Sequence, residues 1–97
     1  MRENEFQSKL KKELQNRFPE CVIMKNDANY IQGIPDLLIL YKNKWAALEC
    51  KQSSKANHRP NQDYYIHKMN DMSFARFINP ENKKEVLEEL DEMFNDD

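Results

Sequence analysis

The sequence predicts a single α/β domain whose elements follow in the order α-β-β-β-α-β-α. Three observations carry that expectation. Phe6, Leu10, Leu14 and Phe18 recur at steps of four between Lys and Glu residues, which is the stripe of an amphipathic helix. The segments Cys21-Val22-Ile23-Met24, Leu37-Leu38-Ile39-Leu40-Tyr41 and Trp45 to Lys51 are short and either apolar or alternating, as strands are. Gln62 to Met69 and Val86 to Phe94 then return to helical spacing.

In chain order, the first helix spans residues 2–18 and is ended by Pro19. Residues 26–33 are rich in Asn and Asp, close on the only Gly, and read as a loop. The strand 37–41 is apolar at every position, which predicts a central strand covered on both faces. Lys42-Asn43-Lys44 is the hairpin turn into its partner. Gln52 to Asn61 is a polar loop, and Pro60 stands where a second helix can begin, with Tyr65, Ile66 and Met69 on its inner stripe. Ser73 to Ile78 alternates as a fourth strand, and Asn79-Pro80 opens a last, acidic helix over 80–97. Ninety-seven residues supply one modest core, so 1–97 is expected to be one domain.

The formal net charge of -2 hides two unlike segments: residues 1–80 carry 13 Lys+Arg against 9 Asp+Glu, and residues 81–97 carry 2 against 8. A mildly basic body permits contact with phosphates, while the acidic tail does not. No apolar stretch approaches the ~20 residues of a membrane span, and no signal-peptide core follows Met1, so a cytoplasmic, non-membrane protein is expected. In that setting Cys21 and Cys50 are expected to be reduced and inert. His58 and His67 lack a Cys/His pair at metal spacing, which argues against zinc.

The chemistry is concentrated on one hairpin. Strand periodicity puts Glu49 and Lys51 on one face, and the turn at 42–44 brings positions near 36 and 49 opposite one another, so that Asp36, Glu49 and Lys51 converge at a strand end. Two neighbouring carboxylates repel, and a hard cation such as Mg²⁺ between them relieves the repulsion. A metal held there suits phosphodiester hydrolysis, with Lys51 placed to orient water or to support developing charge.

The wider pattern Gly33-Ile34-Pro35-Asp36-Leu37-Leu38-Ile39-Leu40, Leu48-Glu49-Cys50-Lys51 and Arg59-Pro60-Asn61-Gln62 resembles the signature of the PD-(D/E)XK nucleases. It is most similar to the VRR-NUC branch, which includes small phage proteins and is related to Holliday junction resolvases. The resemblance, running from about Glu3 to Ile78, implies a restriction-endonuclease-like core: a mixed four-stranded sheet flanked by helices. It implies Asp36, Glu49 and the Cys50 carbonyl as ligands of Mg²⁺ or Mn²⁺, Lys51 as the catalytic lysine and Gln62 as a glutamine beside the site. A first-helix glutamate often joins such sites, and Glu3, which shares the face of Phe6 and Leu10, is preferred over the alternative Glu5. No organic cofactor is implied.

Lys25, Gln32, Lys55, His58 and Arg59 are the residues placed to grip DNA phosphates, and Tyr30, Tyr64 and Tyr65 could stack on unpaired bases, although Tyr65, on the helical stripe, is expected in the core. The expected function is a metal-dependent DNA endonuclease, structure-selective for junctions or branches and leaving 5′-phosphate ends. Symmetric cutting of a junction needs two sites, so a homodimer is expected. If the chain is phage-encoded, it would act in the host cytoplasm. The alternatives are a catalytically silent nuclease-fold module that binds DNA, and a protein-binding regulator acting through the acidic helix.

Overall fold

The structure is a computed structural model that describes residues 1–96; Asp97, the end of the acidic segment, lies outside the described residues. Its elements are α1 (Glu3–Arg17), β1 (Val22–Lys25), β2 (Leu37–Tyr41), β3 (Lys44–Cys50), α2 (Pro60–Met72), β4 (Ala75–Ile78) and α3 (Lys83–Phe94). The strands form one mixed sheet in the order β1-β2-β3-β4. The first three run antiparallel to their neighbours, and β4 is parallel to β3. A two-residue turn at Lys42-Asn43, with Lys42 at φ 57°, fixes the register that pairs Leu37 with Leu48 and Leu40 with Trp45.

One face of the sheet carries the core. Leu37, Ile39, Ala46, Leu48, Cys50 and Ile78 pack there against Phe6, Leu10 and Leu14 of α1, Phe18, and Val86, Leu87, Leu90 and Phe94 of α3. Phe18, Tyr41 and Phe94 close it as three mutually tilted rings with centroids 5.1–5.4 Å apart. On the other face α2 lies over β3 and β4, where Ala47 and Ala75, paired and fully buried, let the helix approach. The thiols of Cys21 and Cys50 are free, as expected. Among the described residues no helix is long and apolar enough to cross a membrane.

Three expectations are corrected. β2 is interior in the sheet but is not covered on both faces. Helix α2 stops short of it, and Val22 and Met24 of β1 stay 53% and 48% exposed beside a partly exposed Leu40. The last helix starts at Lys83 rather than at 80, because Asn79 Oδ1 accepts the N–H groups of Glu81 and Asn82 at 2.9 Å and holds a turn ahead of the helix. Tyr65, Ile66 and Met69 are half-buried, and no residue of α2 is fully buried.

Candidate active site

The hairpin register carries Asp36 to the position opposite Glu49, one step beyond the Leu37–Leu48 pair. The two residues are laced together by backbone. The Asp36 N–H donates to Glu49 Oε1 at 3.1 Å, and the Cys50 N–H donates to Asp36 Oδ2 at 2.9 Å. Alternation along β3 sends Glu49 and Lys51 to the α2 face, where they are only 4% and 7% exposed.

There they meet Gln62 in the first turn of α2. Its Nε2 donates to Glu49 Oε2 at 3.0 Å, while its Oε1 accepts from Lys51 Nζ at 2.8 Å and from the Arg59 N–H at 3.0 Å. One amide thus links acid and lysine while satisfying an otherwise unpaired donor at the start of the helix. Lys51 also donates to the Asn57 carbonyl at 3.1 Å and stands 3.9 Å from Glu49 Oε2.

Burial dominates the electrostatics. It pushes the Glu49 carboxyl up to about 7, helped by the charge of Asp36 and, less, by that of Glu3, against the pull of Lys51 and the Asp36 N–H. Asp36 is raised by burial against the Cys50 N–H and the cations of Lys51 and Lys25. Glu3 is raised by burial and by Asp36. Of the two first-helix glutamates, Glu3 therefore feels the cluster, while Glu5 is exposed. The Cys50 thiol, beside Gln7 in the core, is pushed up to about 12 by burial first and then by the two acids, which leaves it inert at neutral pH.

A cavity of about 240 Å³ opens on the cluster, with Gln32, Gly33, Asp36, Glu49, Arg59, Asn61 and Gln62 in its wall. Gly33 sits at φ 86° against Asn61, where an added Cβ would lie 2.4 Å from the Asn61 Cβ. This contact clamps the 26–36 loop to the start of α2. Asn26 fixes the other end of the loop, with its side chain on the Pro35 carbonyl at 2.9 Å and its N–H on the Asp36 carbonyl at 2.8 Å.

The remaining expected contact residues divide. Gln32 and Arg59 line the cavity, and Lys25 borders the adjoining depression with Asp36. His58 stacks on Phe77, the β4 neighbour of Glu49, with centroids 3.8 Å apart, and its Nδ1 lies 3.1 Å from Asp63. Lys55 is exposed in the loop, its N–H turned to Ser53 Oγ. Asn26, Asn57 and Asn61 were not singled out from the sequence. Asn57 acts through a backbone carbonyl, which has no residue signature, and the other two blend into polar loops.

Among the described residues no three His, Cys, Asp or Glu side chains stand close enough to hold an ion on their own. The donors that do converge are carboxylate oxygens, with the Cys50 backbone between Glu49 and Lys51. Mg²⁺ takes such a set, one or two carboxylates completed by water, and a cation would relieve the burial and repulsion that raise these acids. Comparison with protein-family models, curated proteins and solved structures finds no match.

Proposed function

We propose that the chain is a Mg²⁺- or Mn²⁺-dependent endodeoxyribonuclease of the PD-(D/E)XK kind that its motifs resemble, in the VRR-NUC branch. The observation that carries this reading is the meeting of Asp36 and Glu49 in one cavity wall, with buried Lys51 3.9 Å from Glu49 and Gln62 bonded to both members of the Glu49–Lys51 pair. An ordinary surface ion pair has no need of burial, of an opposed second carboxylate or of a bridging amide.

Asp36 and Glu49 would hold the cation, with the Cys50 carbonyl and Glu3 as further oxygen donors. When bound, the metal polarises a phosphate oxygen and acidifies a coordinated water. Lys51 is locked by Gln62 and the Asn57 carbonyl, so its ammonium meets the charge that develops on the phosphate without reorganising. Arg59, Lys25 and Gln32 at the rim suit neighbouring phosphates. The acidic α3 packs on the opposite face of the sheet, away from the path of DNA. Paired cuts in a branched substrate would call for a homodimer, which light scattering would detect.

Both oxygens of Glu49 already accept hydrogen bonds, and this favours a second reading, a silent DNA-binding module. Incubation with labelled duplex, flap and four-way junction DNA separates the two. Cleavage in Mg²⁺ or Mn²⁺, lost with chelator and leaving 5′-phosphate ends, is expected. Binding without cleavage of any substrate would overturn the nuclease reading.

A further inference from the structure

Tyr30 is 85% exposed, yet the loop that carries it is tied down. Its own N–H donates to the Asp27 carbonyl at 3.1 Å, the Asn29 N–H to Asp27 Oδ1 at 2.8 Å, and the Ile34 N–H to the Ile31 carbonyl at 3.3 Å. With Asn26 and Gly33 pinned as described, a hydrogen-bonded loop holds an aromatic ring out in water. Beside the ring lies a cavity of about 340 Å³ lined by Asn26, Asp27, Tyr30, Ile31 and Ile34. The next depression, of about 420 Å³, is lined by Lys25, Asn26, Asp27, Ala28 and Asp36. It shares Asn26 and Asp27 with the first and Asp36 with the candidate active site, so the depressions adjoin one another from ring to carboxylates.

We propose that Tyr30, Ile31 and Ile34, rimmed by Asn26 and Asp27, form a slot for one unpaired nucleobase next to the phosphate that reaches Asp36. This rests on the nuclease reading for the position of that phosphate. A base entering the slot stacks on the Tyr30 ring, and every base has a face suited to this. Lys25 lies between slot and site, where the linking backbone carries its charge. Only an unpaired or easily extruded base can enter, because a paired one must first give up its partner and its stack. Asp27 spends Oδ1 on Asn29 and keeps Oδ2 as an acceptor for an N–H on the edge of the stacked base.

The test uses oligonucleotides carrying 2-aminopurine, unpaired in one and paired in another, with Ca²⁺ in place of Mg²⁺. Stacking should quench the unpaired probe when the native protein binds and leave the paired probe unchanged. Tyr30→Ala should abolish the quench and reduce the preference for unpaired over paired DNA about tenfold. Tyr30→Phe should keep both, and Asp27→Asn, which replaces the charged acceptor by an amide, should weaken binding of the unpaired probe. A Tyr30→Ala protein with native melting temperature, full quench and unchanged preference would overturn the slot. Cleavage in Mg²⁺ is read in parallel. A native protein that quenches but never cuts removes the nuclease reading and keeps the slot; one that cuts without a Tyr30-dependent quench does the reverse.

Discussion

The backbone of Asp36 holds the residue that its side chain repels: its N–H donates to Glu49 Oε1 at 3.1 Å while its charge helps push the Glu49 carboxyl up. The hairpin sets the two residues opposite each other, and this bond holds their carboxyls together. Their repulsion therefore costs the metal-free fold most at high pH, where both are charged, and it is what a cation would relieve.

Asp36→Asn removes that charge at nearly constant shape, and the new amide oxygen can still accept from the Cys50 N–H. Metal-free stability should stay unchanged or rise by up to ~1 kcal/mol, while cleavage is abolished. Added Mg²⁺ should raise the melting temperature of the native protein and not of the variant. A loss of several kcal/mol would make Asp36 a structural cap instead.

The metal-free protein should lose stability as pH rises. The Glu49 carboxyl titrates near 7 in the fold against 4.5 for a free glutamate, so between those values the folded chain holds more protons than the unfolded one. The contribution of Glu49 is then full below about pH 4.5, falls through the window and levels off above about 7, a drop on the order of 3 kcal/mol. Asp36 and Glu3, also raised, act in the same direction. Urea titrations across this range should show the fall, and saturating Mg²⁺ should flatten it, because the metal takes the place of the proton.

Gln62 is expected to matter for both fold and catalysis. Gln62→Ala strips a partner each from Glu49, Lys51 and the Arg59 N–H, at about 1–3 kcal/mol in stability and about 10- to 100-fold in cleavage rate. Gln62→Glu keeps the acceptor for Lys51 but sets a further carboxylate beside Glu49, so its stability deficit should be greater at pH 8 than at pH 5. Equal deficits at the two pH values would show that Glu49 is not charged beside it.

Gly33→Ala should damage the site from outside it. The new methyl would fall 2.4–2.8 Å from Asn61 atoms, two of them backbone, at a φ that alanine rarely adopts. Relief requires the 26–36 loop and the start of α2 to part, so chemical denaturation should report a loss of about 1–3 kcal/mol, accompanied by weaker cleavage. Native stability in this variant would mean that the loop does not rest on the helix.

The site's centre was legible because a hairpin is rigid over short distances. A turn expected at 42–44 and a period of two suffice to bring Asp36 near Glu49 and to put Lys51 on the same side as Glu49; the final register is set by the shorter turn at 42–43, with Lys44 already in β3. The order of elements was legible for the same reason, since each apolar stripe is local. What covers β2 was not, because an apolar run records tolerance of burial and not which helix arrives; α2 settles where Ala47 and Ala75 leave room. The start of α3 was misplaced because Asn79 caps a turn as readily as a helix. Lys25 and Lys55 looked alike in sequence, yet only Lys25, held at a strand end, borders Asp36.

Because a single amide serves both the helix start and the acid–lysine pair, α2 cannot fray at its first turn without removing the link between Lys51 and Glu49. Local opening of Pro60–Asp63 and disassembly of the chemistry are thus one thermodynamic event. The equilibrium constant of that opening would set the fraction of molecules with the cluster assembled, and a ligand that favours the closed turn would raise that fraction without touching either charged residue.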